Sequence, residues 1–245
     1  MTKDSFFKDS INDIIERLDL IDKNFANILH LECHDGLLTD LLTKHYRKSI
    51  IVSTNPYQLN YNEEAFFDKH PSLFANFDLI IFTLGLHWID EVQSFLAQIK
   101  LMLKPDGIFI GNFLGGNSLK ALRRKFIEAE IATNRPHFQH ISPFIHFDHV
   151  APLLSQAGFA EIIVDYEIIQ LNYKSPLDCI RELKNIGKPM GRLLACQNAK
   201  YNTHYTISKQ MLAILNDDTN IFTEEINIIS FISSPNKNSI KLIKI

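Results

Sequence analysis

Phe77-Asp78-Leu79-Ile80-Ile81-Phe82-Thr83-Leu84 is the stretch on which the fold turns. Its large apolar residues fall at odd and even positions alike. An extended chain here buries both faces, as a central parallel strand does. Outward from it the pattern alternates. Downstream, residues 91–103 place Val92, Phe95, Leu96, Ile99 and Met102 on one helical face. Lys104-Pro105-Asp106-Gly107 then predicts a turn, since proline cannot continue the helix and glycine permits positive φ. A strand over 108–114 follows. Upstream, a short apolar strand over 26–31 is bounded by Asp35-Gly36, with a helix over 37–45 and a second strand over 49–53. Phe6, Phe7, Ile11, Ile14, Ile15, Leu18 and Ile21 recur at helical spacing, so residues 5–23 read as an amphipathic helix. Further helices read at 118–132, 148–157, 176–186 and 206–215, and strands at 161–171 and 225–233. Strand–helix alternation predicts an α/β parallel sheet with right-handed crossovers, and the last two strands close one edge antiparallel.

Composition sets the frame. The 245 residues are 46% apolar and 22% charged with a net charge of −3, ordinary for a globular protein and without a general pull toward nucleic acid. The basic run Lys120, Arg123, Arg124, Lys125 reads as a solvated helix face. Cys33, Cys179 and Cys196 are scattered, which suggests neither a disulfide frame nor a thiolate zinc site and fits a reducing bacterial cytoplasm. No apolar run approaches a membrane span, and the acidic first twenty residues predict neither a signal nor a transit peptide. One domain over 1–245 is expected: a helical extension (1–25), a nucleotide-binding core (26–114) and a C-terminal half (115–245).

In a doubly wound sheet, ligands bind where the strands end. The first strand ends Leu31-Glu32-Cys33-His34-Asp35-Gly36 before a helix starting near Leu37. The central strand runs into Leu84-Gly85-Leu86-His87-Trp88-Ile89-Asp90. Leu103-Lys104-Pro105-Asp106-Gly107 precedes the next strand. In order and spacing these resemble the motifs of class I S-adenosylmethionine-dependent methyltransferases. Gly115-Gly116-Asn117-Ser118-Leu119, Leu122-Arg123, Ala129-Glu130, His140-Ile141-Ser142-Pro143-Phe144, Asp148, Ala157-Gly158-Phe159 and Asp165 add a narrower likeness. They resemble the methyltransferase-like assembly factors of respiratory complex I and, more distantly, the malonyl-carrier-protein methyltransferases of biotin synthesis. The resemblance implies a Rossmann-like class I methyltransferase sheet of about seven strands, mostly parallel, with the last strand antiparallel and helices on both faces. For the mitochondrial members it implies hydroxylation of an arginine on an iron–sulfur subunit.

Carried over by residue, the resemblance implies cofactor contacts from Glu32, Cys33, His34, Asp35 and Gly36, from Thr54 and Asn55 at the end of the second strand, and from Leu84, Gly85 and Leu86. His87 is the ionisable candidate for catalysis. Trp88, Arg123, His140 and Ser142 would face a substrate or client. The chain departs from the pattern at three of these places. Glu32 and His34 stand where the first motif has glycine, and glycine is used there because backbone must approach the cofactor. The second strand should end in an acid that accepts the ribose hydroxyls, but here it ends Ser53-Thr54-Asn55. A hydrogen bond to a charged group contributes about 1.5–3 kcal/mol, so this change alone weakens binding about 10- to 100-fold. Residues 56–76 are short for a full helix, a third strand and an acidic adenine contact, with Glu63 or Glu64 as substitutes. S-adenosylmethionine binding is therefore expected to be weak or lost.

Two metal constellations have blander readings. His30, Glu32 and His34 alternate as a facial iron triad would, but the turn near Cys33 breaks the alternation. His137, His140, His146 and His149 crowd near Asp148 without regular ligand spacing, which favours a plain loop over zinc. No metal is expected. His87-Trp88 reads either as a pocket wall over the reacting group or as an aromatic plug between sheet and helix. Two functions stay open: a methyltransferase-type enzyme acting on a protein or carrier-bound substrate, and a cofactor-free assembly factor gripping a client through residues 115–147.

Overall fold

The computed structural model describes residues 5–31, 36–54, 71–89, 91–137, 140–141, 143–185, 208–216 and 221–243. In chain order the elements are α1 (Ser5–Asp19), β1 (Asn27–Leu31), α2 (Leu37–His45), β2 (Ile50–Thr54), β3 (Phe77–Thr83), α3 (Val92–Met102), β4 (Leu103–Leu114), α4 (Lys120–Ala132), α5 (Phe147–Gln156), β5 (Glu161–Tyr173), α6 (Pro176–Asn185), α7 (Lys209–Leu215) and β6 (Phe222–Ser234). The six strands form one sheet in the order β2-β1-β3-β4-β6-β5. β1, β2, β3 and β4 pair in parallel, whereas β6 runs antiparallel to both β4 and β5. The expected mixed sheet is present with six strands among the described residues rather than about seven, and the antiparallel last strand lies inside it, between β4 and the edge strand β5.

Every residue of β3 is buried. Leu79 and Ile81 pack with α1, α2 and α4 on one face. Ile80 and Phe82 pack with α3 and α5 on the other. This explains the unbroken apolar run: β3 is sandwiched between two helical layers. Asp78 sits at the end of the sheet opposite the strand exits. Its Oδ2 accepts the backbone N–H groups of Ala26 and Asn27 at 3.1 and 2.8 Å, and Oδ1 pairs with Lys104 at 2.8 Å. The Phe77-Asp78 pair is thus a clamp between β1, β3 and β4.

The turn expected at 104–107 takes another form. β4 already begins at Leu103, opposite Phe77, and the next pair is Leu79 with Ile108. Five steps on β4 match two on β3, so Lys104–Gly107 buckle out of the ladder as a bulge. Gly107 is not in the left-handed region. It is required instead by crowding: a Cβ there would lie 3.0 Å from the carbonyl oxygens of both Phe77 and Lys104. The first helix is also shorter than its apolar period. It stops at Asp19 because Ile21 is drawn into a bridge with Leu242. α1 buries Ile11, Ile14 and Leu18 in the core cluster it shares with the sheet.

Candidate functional site

The four parallel strands deliver their connections to one rim. After β1, Glu32, Cys33, His34 and Asp35 lie outside the described residues, as do Asn55 and residues 56–70 after β2. Gly36 has φ 86°, a conformation natural only to glycine, and as the N-cap of α2 it offers no side chain to the first-turn amides. The first-turn amides of α2 thus carry the partial positive charge of a helix N-terminus. Thr54 ends β2 directly beside Leu31, the last residue of β1. His30, one step earlier, is buried and bonds through Nδ1 to the Thr39 hydroxyl of α2 at 2.8 Å. That bond ties His30 to the α2 layer.

After β3, Leu84 adopts φ 46°, unusual for a side-chain-bearing residue, and Gly85 opens a short 3-10 turn, Leu86–Trp88. Leu86 and His87 are buried. The His87 ring meets the edge of Phe144 with centroids 5.7 Å apart and planes at 84°. Arg123 of α4 lies over the same Phe144 ring at 5.2 Å and donates from Nη1 to the Ile141 carbonyl at 2.7 Å. His87, Phe144 and Arg123 therefore form one continuous wall. The basic run on α4 is not uniformly solvated: Lys120 and Arg124 are exposed, while Arg123 is turned inward. The Trp88 backbone belongs to this wall's turn, and Ser142 lies outside the described residues.

The histidine-rich segment is organised by a carboxyl group. Glu130, 2% exposed, bonds His140 Nε2 at 2.8 Å and His137 Nδ1 at 2.9 Å. His140 stacks on Phe126 at 4.2 Å between centroids. Among the described residues, no group of three or more His, Cys, Asp or Glu is placed to hold a metal. His140 is thus held between Glu130 and Phe126. Burial lowers its pKa below the ordinary imidazole value, more strongly than Glu130 raises it and with His137 also lowering it. The sign follows from linkage. The neutral ring's contribution is complete above the unfolded value near 6.5, and it is lost as pH falls through the depressed folded value. Urea melts between pH 7.5 and 5 should show that loss. His140→Gln, which keeps a donor for Glu130 and does not titrate, should flatten it; an unchanged slope would place the titration elsewhere.

Sequence reasoning missed several contributors. Asn112, fully buried in β4, bonds the loop after β3 with its side chain. Its signal was a polar residue inside an apolar run. Glu130 sits on the buried face of α4 with Leu122 and Phe126, again a charged residue where periodicity calls for an apolar one. Glu224 of β6 caps α4 by accepting the N–H groups of Ala121 and Leu122 at 3.1 and 2.6 Å. Burial raises its pKa against those amides. No local pattern announces a cap supplied from a hundred residues away.

A parallel sheet with an antiparallel strand wedged beside its last parallel member, and a glycine-opened helix after its first strand, defines a class I methyltransferase-type α/β protein. A family model described as "Methyltransferase domain" matches residues 4–163, and the chain belongs to that family of S-adenosylmethionine-dependent proteins. It is 47% identical over 231 residues to the protein RP459 of the bacterium Rickettsia prowazekii (strain Madrid E), covering 91% of this chain and 99% of that one. It is 31% identical over 198 residues to the human mitochondrial arginine-hydroxylase NDUFAF5, covering 76% of this chain and 57% of that protein. Against the malonyl-[acyl-carrier protein] O-methyltransferase 1 of Coxiella burnetii it is 25% identical over 186 residues, 71% of this chain and 61% of that one. The chain thus spans little more than half the length of the latter two. The Bacillus subtilis YcgJ protein shares the fold, with a TM-score of 0.54 at 10% identity over 94% of this chain and all of that one.

Proposed function

We propose that this chain is an S-adenosylmethionine-dependent methyltransferase-like protein of the bacterial cytoplasm with a degenerate cofactor pocket, acting on a protein or carrier-bound substrate. Gly36 carries the reading. Its left-handed backbone at the start of α2 suits the carboxylate end of the cofactor. Glu32, Cys33, His34 and Asp35 complete that loop, Thr54 and Asn55 take the ribose side, and Leu84, Gly85 and Leu86 line the opposite wall. The fit is partial, because the Thr54 hydroxyl supplies hydrogen bonds without charge.

When bound, S-adenosylmethionine supplies an electrophilic methyl group on sulfur. The chain's own task is alignment: holding an acceptor at near-attack distance and excluding water. In this reading His87 receives a proton from the acceptor, and its ring meets the edge of Phe144. Trp88, Arg123, His140 and Ser142 belong to the substrate side, with Arg123 and Phe144 as a cationic and aromatic wall. Identity to an arginine-hydroxylase supports a protein side chain as the acceptor class, and hydroxylation as the alternative chemistry. A second reading, a cofactor-free assembly factor holding an iron–sulfur subunit of respiratory complex I, is favoured by the missing acid at Thr54.

Calorimetric titration with S-adenosylmethionine and S-adenosylhomocysteine tests the proposal. Weak saturable binding, above the micromolar range, is expected. Micromolar affinity refutes the degraded pocket. Absence of binding together with capture of an iron–sulfur subunit favours the assembly reading.

A further inference from the structure

One polar row crosses the face of the sheet beneath α1. Thr83, Asn112, Ser230 and Asp165 are register partners on β3, β4, β6 and β5, so their side chains share that face. α1 lies across the row and engages it at successive helical positions. The Ser10 carbonyl accepts from Asn112 Nδ2 at 2.7 Å. Asp13 accepts from the Ser230 hydroxyl at 3.3 Å. Arg17 holds Asp165 with both terminal nitrogens, Nη2 at 2.9 Å, and also bonds Asp13. The spacing is commensurate. Seven helical residues rise about 10.5 Å, and two strand spacings span about 9.6 Å. Ser10, Asp13 and Arg17 thus tie the helix to β4, β6 and β5 in turn.

Asn112 has a second arm. Its Oδ1 accepts the Leu84 N–H at 3.2 Å, beside the bond from that same N–H to the Asn112 carbonyl at 2.7 Å. Leu84 is the residue held at φ 46° where the loop toward Gly85 and His87 begins. A left-handed backbone at a side-chain-bearing residue persists when its surroundings over-determine it, and one buried amide here bonds both that backbone and the helix. We propose that Asn112 is a positioning residue that couples α1 to the Leu84–Trp88 loop, so that the polar row sets the geometry of the ligand wall. The assignment of that loop to the ligand rests on the function proposed above. The coupling itself is a property of the chain without ligand.

Residue-resolved amide hydrogen exchange on the full chain, with no ligand added, tests it. Arg17 touches neither Leu84 nor Asn112, so Arg17→Ala loosens α1 from its far end. The coupling predicts that the Leu84 amide exchanges about tenfold faster in this variant, together with the α1 amides, while Ile28 and Leu29 of β1 keep their rates. A Leu84 amide at the wild-type rate relative to β1, whether or not α1 loosens, overturns the proposal. Asn112→Asp keeps the acceptor for Leu84 and loses the donor to Ser10. Its Leu84 amide should exchange between the wild-type rate and that of Asn112→Ala. If Asn112→Ala does not fold, Arg17→Ala decides alone. Because no ligand is present, failure of S-adenosylhomocysteine to bind leaves the outcome intact.

Discussion

Glu32→Gly, His34→Gly and Thr54→Asp, combined, are expected to tighten S-adenosylmethionine binding by about 10²- to 10⁴-fold, equivalent to about 3–5 kcal/mol. Glu32→Gly removes a carboxylate from beside the carboxylate of the ligand and restores backbone freedom. His34→Gly restores room. Thr54→Asp places a charged acceptor where β2 ends beside β1, the position from which a side chain reaches the rim. The three sites meet one ligand, so their single effects need not add. Titration of the wild type and the triple variant under one set of conditions measures the gain. A folded triple variant that still binds nothing would move the defect to the 56–76 segment.

Phe77→Ala should destabilise the protein by about 3–5 kcal/mol, the range for truncating a buried phenylalanine. Phe77 is 2% exposed and packs in the core on the α3 and α5 face, at the point where β4 bulges. Leu103 of β4 pairs with it and Met102 and Ile99 of α3 share its core cluster, so collapse around the lost ring is restricted. Urea melts at constant m-value give the number. A loss under about 1 kcal/mol would mean that the bulge relaxes into the space.

Much of the architecture was legible in local pattern. The eight-residue run at Phe77, the period-3.6 faces of α3 and α5, and the strand–helix alternation are short-range signals, and burial follows them directly. Parts of the site were legible too. Gly36, Leu84 and His87 do gather at the strand exits, because chain order in a doubly wound sheet dictates which loops share a rim.

The sequence by itself determined where the strands and helices lie and which end of the sheet carries the loops, since periodicity and chain order are local properties. Only the tertiary structure decided what the polar residues do. Gly107 reads as a turn glycine until the carbonyls of Phe77 and Lys104 are seen to leave no room for a Cβ. Arg123 reads as one of a solvated group until Phe144 and Ile141 are placed beside it. Asn112 joins α1 to Leu84, and Glu224 caps a helix that starts a hundred residues earlier. A buried polar group must find a partner, and in these cases the partner comes from a distant part of the chain, so no window of sequence contains both halves of the pair.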